Sequence, residues 1–388
     1  MIYLDNAATT FPKPPVVMEA MRNFTEEIGA NPGRSSYGLA AAASRLVFQT
    51  REQLAKLFNL PDSERIIFTR NVTEALNLVL IGLLKPGNRV LVTGLEHNAV
   101  MRPLRYLEKT IGIIVDVIPM TAAGQWSKEI LAEWLASRHY QLAVLNHGSN
   151  VTGSLLNLKK IVPQLRAKNI TIIVDGAQSA GAIPLNLADS DLDVFCFTGH
   201  KSLFGPQGTG GFWLRPGLKP CPLFYGGTGS HSEAEHQPDF LPDYYESGTP
   251  NTVGLAGLEA AIRFINQKSP ATIHQQEIKL INQLQQELEK IPEIRIYGPS
   301  VTTTNRLPVL SFTMAHFTPA EIGYQLERQY GIMVRVGLHC APRAHKTIGT
   351  FPQGTVRLAP GYFNTMEEMD LTITAIKKIA AAKGKNSP

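Results

Sequence analysis

Two segments end an apolar run in an ionisable side chain, and together they suggest one kind of chemistry. Val174-Asp175-Gly176-Ala177-Gln178 closes the run Ile170–Asp175. Twenty-six residues after Asp175, Phe197-Thr198-Gly199-His200-Lys201 closes a second run. A carboxylate at the carboxyl end of a buried strand points into the crevice where open α/β sheets bind ligands. A lysine held desolvated in that crevice is a nucleophilic amine, as a Schiff base requires. An Asp and a Lys so placed suit pyridoxal phosphate, whose pyridine nitrogen the carboxylate keeps protonated while the lysine holds the aldehyde as an imine. Taken singly, Asp175 equally reads as a loop cap or ion-pair partner, and Lys201 as a solvated charge.

Other residues offer what such a ligand needs. Phe68-Thr69-Arg70-Asn71-Val72-Thr73-Glu74 reads as a strand-to-helix turn. Its amides and the Thr73 hydroxyl suit a phosphate at a helix N-terminus, or form an ordinary N-cap. His97, after another strand end, is a stacking partner for an aromatic ring or a hydrogen-bonded structural histidine. Asn150 is an amide for a polar ligand group or a turn residue. Gly226-Gly227-Thr228-Gly229 is a second anion-binding turn or a plain loop. In Arg335-Val336-Gly337-Leu338-His339-Cys340-Ala341-Pro342, positive neighbours favour a thiolate, the nucleophilic form of cysteine, against the alternative of a small buried hydrophobe. Arg357 lies within an apolar strand, where an unpaired charge is costly. It is either a clamp for a substrate carboxylate or the partner of a structural Asp or Glu.

The elements that position these residues follow from periodicity. Seven short β-rich segments are expected at Ile66–Thr69, Arg89–Thr93, Ile113–Ile118, Leu142–Asn146, Ile170–Asp175, Asp193–Thr198 and Gly210–Arg215. Helical patterns at 72–83, 98–109, 127–138 and 158–168 alternate with them, which predicts an α/β fold with a mostly parallel sheet covered on both faces. After Asn251 the pattern changes. Ser269-Pro270 reads as a helix start, and Leu280, Leu284, Leu288 and Ile291 mark an apolar stripe. Strands at 294–297, 307–313, 332–335 and 355–359 and helices near 319–330 and 366–382 predict a smaller α/β domain, with Ala381–Pro388 expected to fray.

The chain has 388 residues, long enough for about two domains, and its 44% hydrophobic and 18% charged content is that of a globular protein. No apolar run spans a membrane, and the N-terminus lacks the pattern of a signal peptide. A net charge of +5 without a dense basic run argues against nucleic acid or anionic lipid as a partner. Cys196, Cys221 and Cys340 lie far apart with no CxxC, which excludes a disulfide framework or structural zinc and points to a reducing compartment. Cys196 and Cys221 read as structural.

The motifs Tyr3-Leu4-Asp5-Asn6-Ala7-Ala8-Thr9-Thr10, Asn71-Val72-Thr73-Glu74, Glu96-His97, Ser149-Asn150-Val151-Thr152-Gly153, Val174–Gln178, Gly199-His200-Lys201, Ser247-Gly248-Thr249-Pro250-Asn251 and Arg335–Pro342 follow one another along nearly the whole chain. In that combination the chain resembles the class V, fold-type-I enzymes dependent on pyridoxal phosphate, and among them the cysteine desulfurase family. Its Arg-x-Gly-x-His-Cys-Ala pattern is similar to that of the sulfur-mobilising and selenocysteine lyase-like group. The resemblance implies a large cofactor-binding domain at 16–262 and a small domain made of 1–15 and 263–388. It implies that Lys201 carries the cofactor, Asp175 pairs with the pyridine nitrogen, Gln178 bonds the ring hydroxyl and His97 stacks on the ring. Val72, Thr73, Thr198 and His200 would hold the phosphate, and Thr228 would reach the phosphate of a partner subunit. Asn150 and Arg357 would orient the substrate carboxylate, and Cys340 would accept sulfur as a persulfide while L-cysteine becomes L-alanine. His339 is a candidate for setting the protonation of Cys340. The same resemblance implies a cytoplasmic homodimer, no metal, and a possible sulfur-acceptor protein. Selenocysteine lyase, or another class V aminotransferase or β-lyase, is the alternative it leaves open.

Overall fold

The structure is a computed structural model that describes residues 1–33, 37–121, 123–303 and 305–383. Seven strands form one sheet in the order 66–69, 210–214, 194–198, 171–175, 142–146, 89–93 and 114–118. The strand Gly210–Leu214 runs antiparallel to both its neighbours, and the remaining pairs are parallel. The strands ending at Thr69, Thr93, Asn146, Asp175 and Thr198 therefore finish at the same edge of the sheet. The seven expected segments are these strands, with ends that differ by at most one residue.

Both faces of the sheet are covered. On one side Phe58, Phe195, Phe197, Leu258 and Ile262 share a core. On the other, Val79, Val100, Leu104 and Ile173 share another. This explains why the strands read as apolar runs and not as alternating patterns. The helices Val72–Leu83, Asn98–Ile111, Lys128–Ser137 and Leu158–Arg166 stand where the sequence places them.

A second, antiparallel sheet has the order 335–337, 355–358, 310–314 and 294–297. The expected strand at 332–335 proves to be two: Ile332–Met333, which pairs in parallel with Ile2–Tyr3, and Arg335–Gly337, which joins the second sheet. The helix Pro270–Leu288 starts at Ser269, whose side chain accepts from the Thr272 N–H. Ile291, expected on that helix, lies just beyond its end. Of the tail, residues 381–383 close the last helix, Met366–Lys383, and 384–388 lie outside the described residues.

Among the described residues, four α-helices have no counterpart in the sequence reading: Pro15–Asn23, Gly38–Phe58, Thr252–Lys268 and Pro342–Ile348. The first two both pack on the third. The shortest, Pro342–Ile348, directly follows Cys340.

Candidate active site

The shared sheet edge gathers the loops that follow its strands around a cavity of about 270 Å³. Lys201, Thr198 and His200 line it from one strand end, Val72 and Thr73 from another, and His97 and Asn150 from two more. Arg335, His339, Cys340 and Arg357 close it from the second sheet and its loop. Ala7 and Ala8 of the N-terminal arm complete the wall.

The arm also fixes the lysine loop. The His200 carbonyl accepts from the Thr10 N–H at 3.1 Å and from Lys13 Nζ at 2.8 Å, and the Lys201 carbonyl accepts from Thr10 Oγ1 at 3.1 Å. Lys201 itself is half-buried, and desolvation of its amine pushes it down to about 8, with the Asp175 charge acting in the opposite direction. Asp175 is 3% exposed, and its Oδ1 accepts from the Ala177 N–H at 2.9 Å. Burial raises its carboxyl, while the Ala177 hydrogen bond and the Lys201 charge pull it back. The structure thus brings the acid and the amine into electrostatic contact in a dry site.

His97 caps the helix Asn98–Ile111: its Nδ1 accepts from the Ala99 N–H at 3.0 Å. Burial, and then the Lys201 charge, lower its imidazole to about 3, so the ring is neutral with its orientation set by the cap. At the start of Val72–Leu83, Asn71 Oδ1 accepts from the Glu74 N–H at 3.0 Å. The other first-turn amides have no helical partner, as at any helix N-terminus. Beside them, Thr198 Oγ1 and His200 Nδ1 are buried without a hydrogen bond. Buried polar atoms are normally paired, so these orphans fit a polar ligand, and a phosphate at the helix N-terminus meets that description.

On the opposite wall the two sheets meet. Asn150 Nδ2 donates to the His339 carbonyl at 2.7 Å, and its Oδ1 is buried and unpaired. Arg357 Nη1 donates to the Asn150 carbonyl at 3.0 Å, while Nη2 pairs with Asp5. Both readings of Arg357 are therefore met in part: it has an acidic partner, and it lines the cavity. Arg335 stands directly opposite Arg357 in the strand register. Like charges facing across a strand pair are destabilising, and their placement here makes the wall a receptor for anions.

Cys340 is exposed on a loop in which it and His339 both have left-handed backbone, φ 56° and 49°. Non-glycine residues rarely take that conformation and concentrate at functional sites when they do. Arg335 Nη2 donates to Cys340 Sγ at 3.3 Å. The expectation for His339 is corrected: its Nε2 pairs with Thr355 Oγ1 at 2.9 Å inside the protein, and Arg335 is the group at the sulfur. His345, five residues beyond Cys340, is also buried, with Nδ1 paired to Thr350 Oγ1.

Three of the expected site residues do not line this cavity: Asp175, Gln178 and Thr228. Gln178 Nε2 donates to the Ala7 carbonyl at 2.8 Å, behind the cavity wall. Thr228 Oγ1 bonds Ser230 Oγ at 3.0 Å and does not line this cavity. Cys196 is buried, which raises its thiol well above the usual range, and Cys221 is exposed.

The sequence reading assigns no role to Asp5 or Glu96. Glu96 Oε1 accepts from Thr93 Oγ1 at 2.7 Å and from the Asn146 N–H at 2.9 Å, and burial raises its carboxyl to about 8. A buried acid, held well above the ordinary carboxylate range, thus directly precedes His97 in the chain. The only sequence signal was its adjacency to His97.

Comparison with known proteins places this arrangement. The family model described as "Aminotransferase class-V" matches residues 2–371. A cysteine desulfurase of Yersinia pestis is 31% identical over 99% of this chain and 94% of its own length. The chain belongs to the cysteine desulfurase family of the class-V aminotransferases. A protein of Mycolicibacterium paratuberculosis named a probable cysteine desulfurase is 33% identical over 98% of the chain, and the chain spans 55% of that relative's length. The apo structure of a cysteine desulfurase from Thermococcus onnurineus superposes with a TM-score of 0.91 at 29% identity, covering 98% of this chain and 94% of that one. That solved structure shares the α/β architecture described above. Among the described residues, no helix is long and apolar enough to cross a membrane.

Proposed function

We propose that this protein is a cysteine desulfurase that uses pyridoxal phosphate to convert L-cysteine into L-alanine and takes the sulfur onto Cys340. The observation that carries the reading is that Cys340, with Arg335 at its sulfur, faces the same cavity as Lys201 and the buried Arg357. Pyridoxal phosphate, when bound, supplies an electron sink for a carbanion at the substrate Cα. The orphaned Thr198 and His200 atoms and the amides of Val72 and Thr73 suit its phosphate. Asp175 suits a protonated ring nitrogen, Gln178 the ring hydroxyl, and the neutral His97 ring a stacking surface.

The chain's own residues divide the remaining work. Arg357 and Asn150 orient the substrate carboxylate against the arginine-rich wall. Lys201, whose amine burial lowers to about 8, removes the Cα proton and returns it during the reaction. Cys340 Sγ attacks the substrate sulfur. The Cβ–S bond breaks as the S–S bond forms, and Cβ takes a proton to give alanine. Arg335 stabilises negative charge on the cysteine sulfur throughout.

The reading extends to organisation. We assign a large domain to 16–262 and a small one to 1–15 with 263–388. Thr228 acts across a homodimer interface, which the exposed Phe224 and Tyr225 of its own loop favour. Three free cysteines accord with a reducing compartment such as the cytoplasm.

The test compares wild type with Cys340→Ala. Alanine release from L-cysteine is expected to fall at least about a hundredfold in the variant. Mass spectrometry of the wild type is expected to find one added sulfur on the Cys340 peptide. Equal turnover of L-cysteine by both proteins would overturn the role of Cys340 and favour a lyase, with selenocysteine as the substrate to try next.

A further inference from the structure

Cys340 stands on a ridge between two cavities. The inner one holds Lys201. The outer one is a cleft of about 330 Å³ between the helices Asn98–Ile111 and Pro342–Ile348, lined by Arg102, Arg105, Arg343 and Lys346 with Asn98 and Met101. The Asn98 N–H donates to the Cys340 carbonyl at 2.9 Å, so this cleft begins where the cysteine loop ends.

Its charge is one-sided. Each helix contributes two cations spaced three residues apart, which places them on one face. Among the described residues only Arg105 has an acidic partner, Glu108 on its own helix. Arg343 Nε is buried and makes no hydrogen bond. Burial, followed by the Arg105 charge, disfavours the charged form of Arg343. Lys346 Nζ lies 4.9 Å from the centroid of the Phe351 ring. Glu108 offsets one of the four charges and the Phe351 ring contacts another, so most of their mutual repulsion is left for an anion from outside to relieve. Arg102, Arg105 and Lys346 are exposed along about one turn of each helix, roughly 5 Å, which matches several carboxylates in a row rather than a single small anion.

We propose that this cleft recognises an acidic surface segment of the thiol protein that takes sulfur from Cys340. The inference rests on the desulfurase reading. The acceptor thiolate attacks the outer sulfur of the Cys340 persulfide, forming an S–S bond on the acceptor and breaking the bond to Cys340 Sγ. Cys340 leaves as a thiolate and takes up the proton that the acceptor thiol gave up, so no outside oxidant or reductant is involved. The cleft holds the acceptor on the solvent side while substrate occupies the inner side.

The test uses the holoenzyme and two synthetic peptides, each with a single cysteine, set between glutamates in one and between glutamines in the other. After loading with L-cysteine, sulfur transfer to the glutamate peptide at low ionic strength is expected to be roughly tenfold faster, an advantage that shrinks with added salt. The double variant Arg102→Ala/Lys346→Ala and the single variant Arg343→Gln are expected to lose the advantage, while discharge to dithiothreitol stays unchanged. Fluorescence anisotropy of a labelled glutamate peptide with serine in place of its cysteine reads recognition without chemistry, and binding is expected to weaken roughly tenfold in the double variant. Equal transfer to both peptides, or an advantage that survives the substitutions, would overturn the proposal and leave the desulfurase reading standing. Peptide binding that depends on these arginines, in a protein that forms no alanine from L-cysteine, would sink the desulfurase reading and keep the acidic recognition.

Discussion

A guanidinium that is only 1% exposed must have its charge met inside the protein, and Arg357 is met on one side only. Asp5 takes one nitrogen, the Asn150 carbonyl takes another at 3.0 Å, and Nε has no partner. Asp5 therefore both neutralises the arginine and aims its free edge at the cavity. Removing one member of a buried pair strands the other charge, at a cost of about 3–5 kcal/mol when burial is complete. Asp5 is 22% exposed, so Asp5→Ala is expected to destabilise by about 2–4 kcal/mol. Asp5→Asn keeps a hydrogen-bonding atom and is expected to cost less. Both variants are expected to raise KM for L-cysteine by roughly tenfold with a smaller change in kcat, because a misaimed arginine loses substrate binding first. Denaturant titration and steady-state kinetics check the two parts separately. An unchanged KM would mean that Asp5 only neutralises Arg357 and does not orient it.

At the scale of elements, the cysteine loop depends on a close approach of two backbones. The strand Arg335–Gly337 pairs with Thr355–Leu358 in a register that sets Gly337 against Thr355. Gly354, just before that partner strand, has φ 81°, and a Cβ there would lie 2.2 Å from the Gly337 carbonyl carbon. Neither the backbone conformation nor the space admits a side chain. Gly354→Ala is expected to push the strands apart, move Arg335 from the Cys340 sulfur and destabilise by about 1–3 kcal/mol. A larger loss of alanine formation than of folded protein would place the damage in the loop, whereas a parallel loss would place it in the fold. The large sheet is legible in the sequence because every strand is a short apolar run ending at a turn. The helix Gly38–Phe58 is not, since it buries Ala40, Ala43, Thr50 and Arg51 along with its few large apolar residues, which blurs the stripe. Thr252–Lys268 is hidden by Gly254 and Gly257, which read as breakers. Gly257 is there because a Cβ would come within 2.8 Å of Met21 on the packed neighbour. Within the site, Lys201, Asp175 and Cys340 announce themselves by type and position. The pairing of Asp5 with Arg357 does not, because it spans 352 residues and exists only once the N-terminal arm has paired with Ile332–Met333 and bridged to Ala359.

For the molecule as a whole, the buried titratable groups set an acid limit on stability. His97, His147, His200, His339 and His345 are all held below the ordinary imidazole range, at about 3, 4, 4, 2 and 4, with burial the leading cause for each. In the unfolded chain each protonates near 6.5. Between about pH 4 and 6.5 the unfolded state therefore binds up to five protons that the native state refuses, and stability falls as the pH falls. Burial raises Glu96 and Glu277 to about 8 and raises Asp175 as well, which works in the opposite sense. Above the ordinary carboxylate range the native state keeps those protons while the unfolded chain releases them. Five imidazoles against the two glutamates leave a net difference of about three protons near pH 5, a slope of at most about 4 kcal/mol per pH unit. Above pH 6.5 the imidazoles no longer contribute and the raised carboxyls reverse the slope, until Lys13 and Lys201, which burial lowers to about 8, offset them as the pH approaches 8. The cofactor-free protein is expected to be most stable near pH 6.5, with its guanidinium midpoint falling steeply towards pH 5 and gently towards pH 8. His345→Gln, which removes an imidazole remote from substrate, is expected to flatten the acid limb by about one proton. A midpoint that rises steadily from pH 6.5 to 8 would show that Lys13 and Lys201 act there without opposition, and so that Glu96 and Glu277 are already ionised in the native protein.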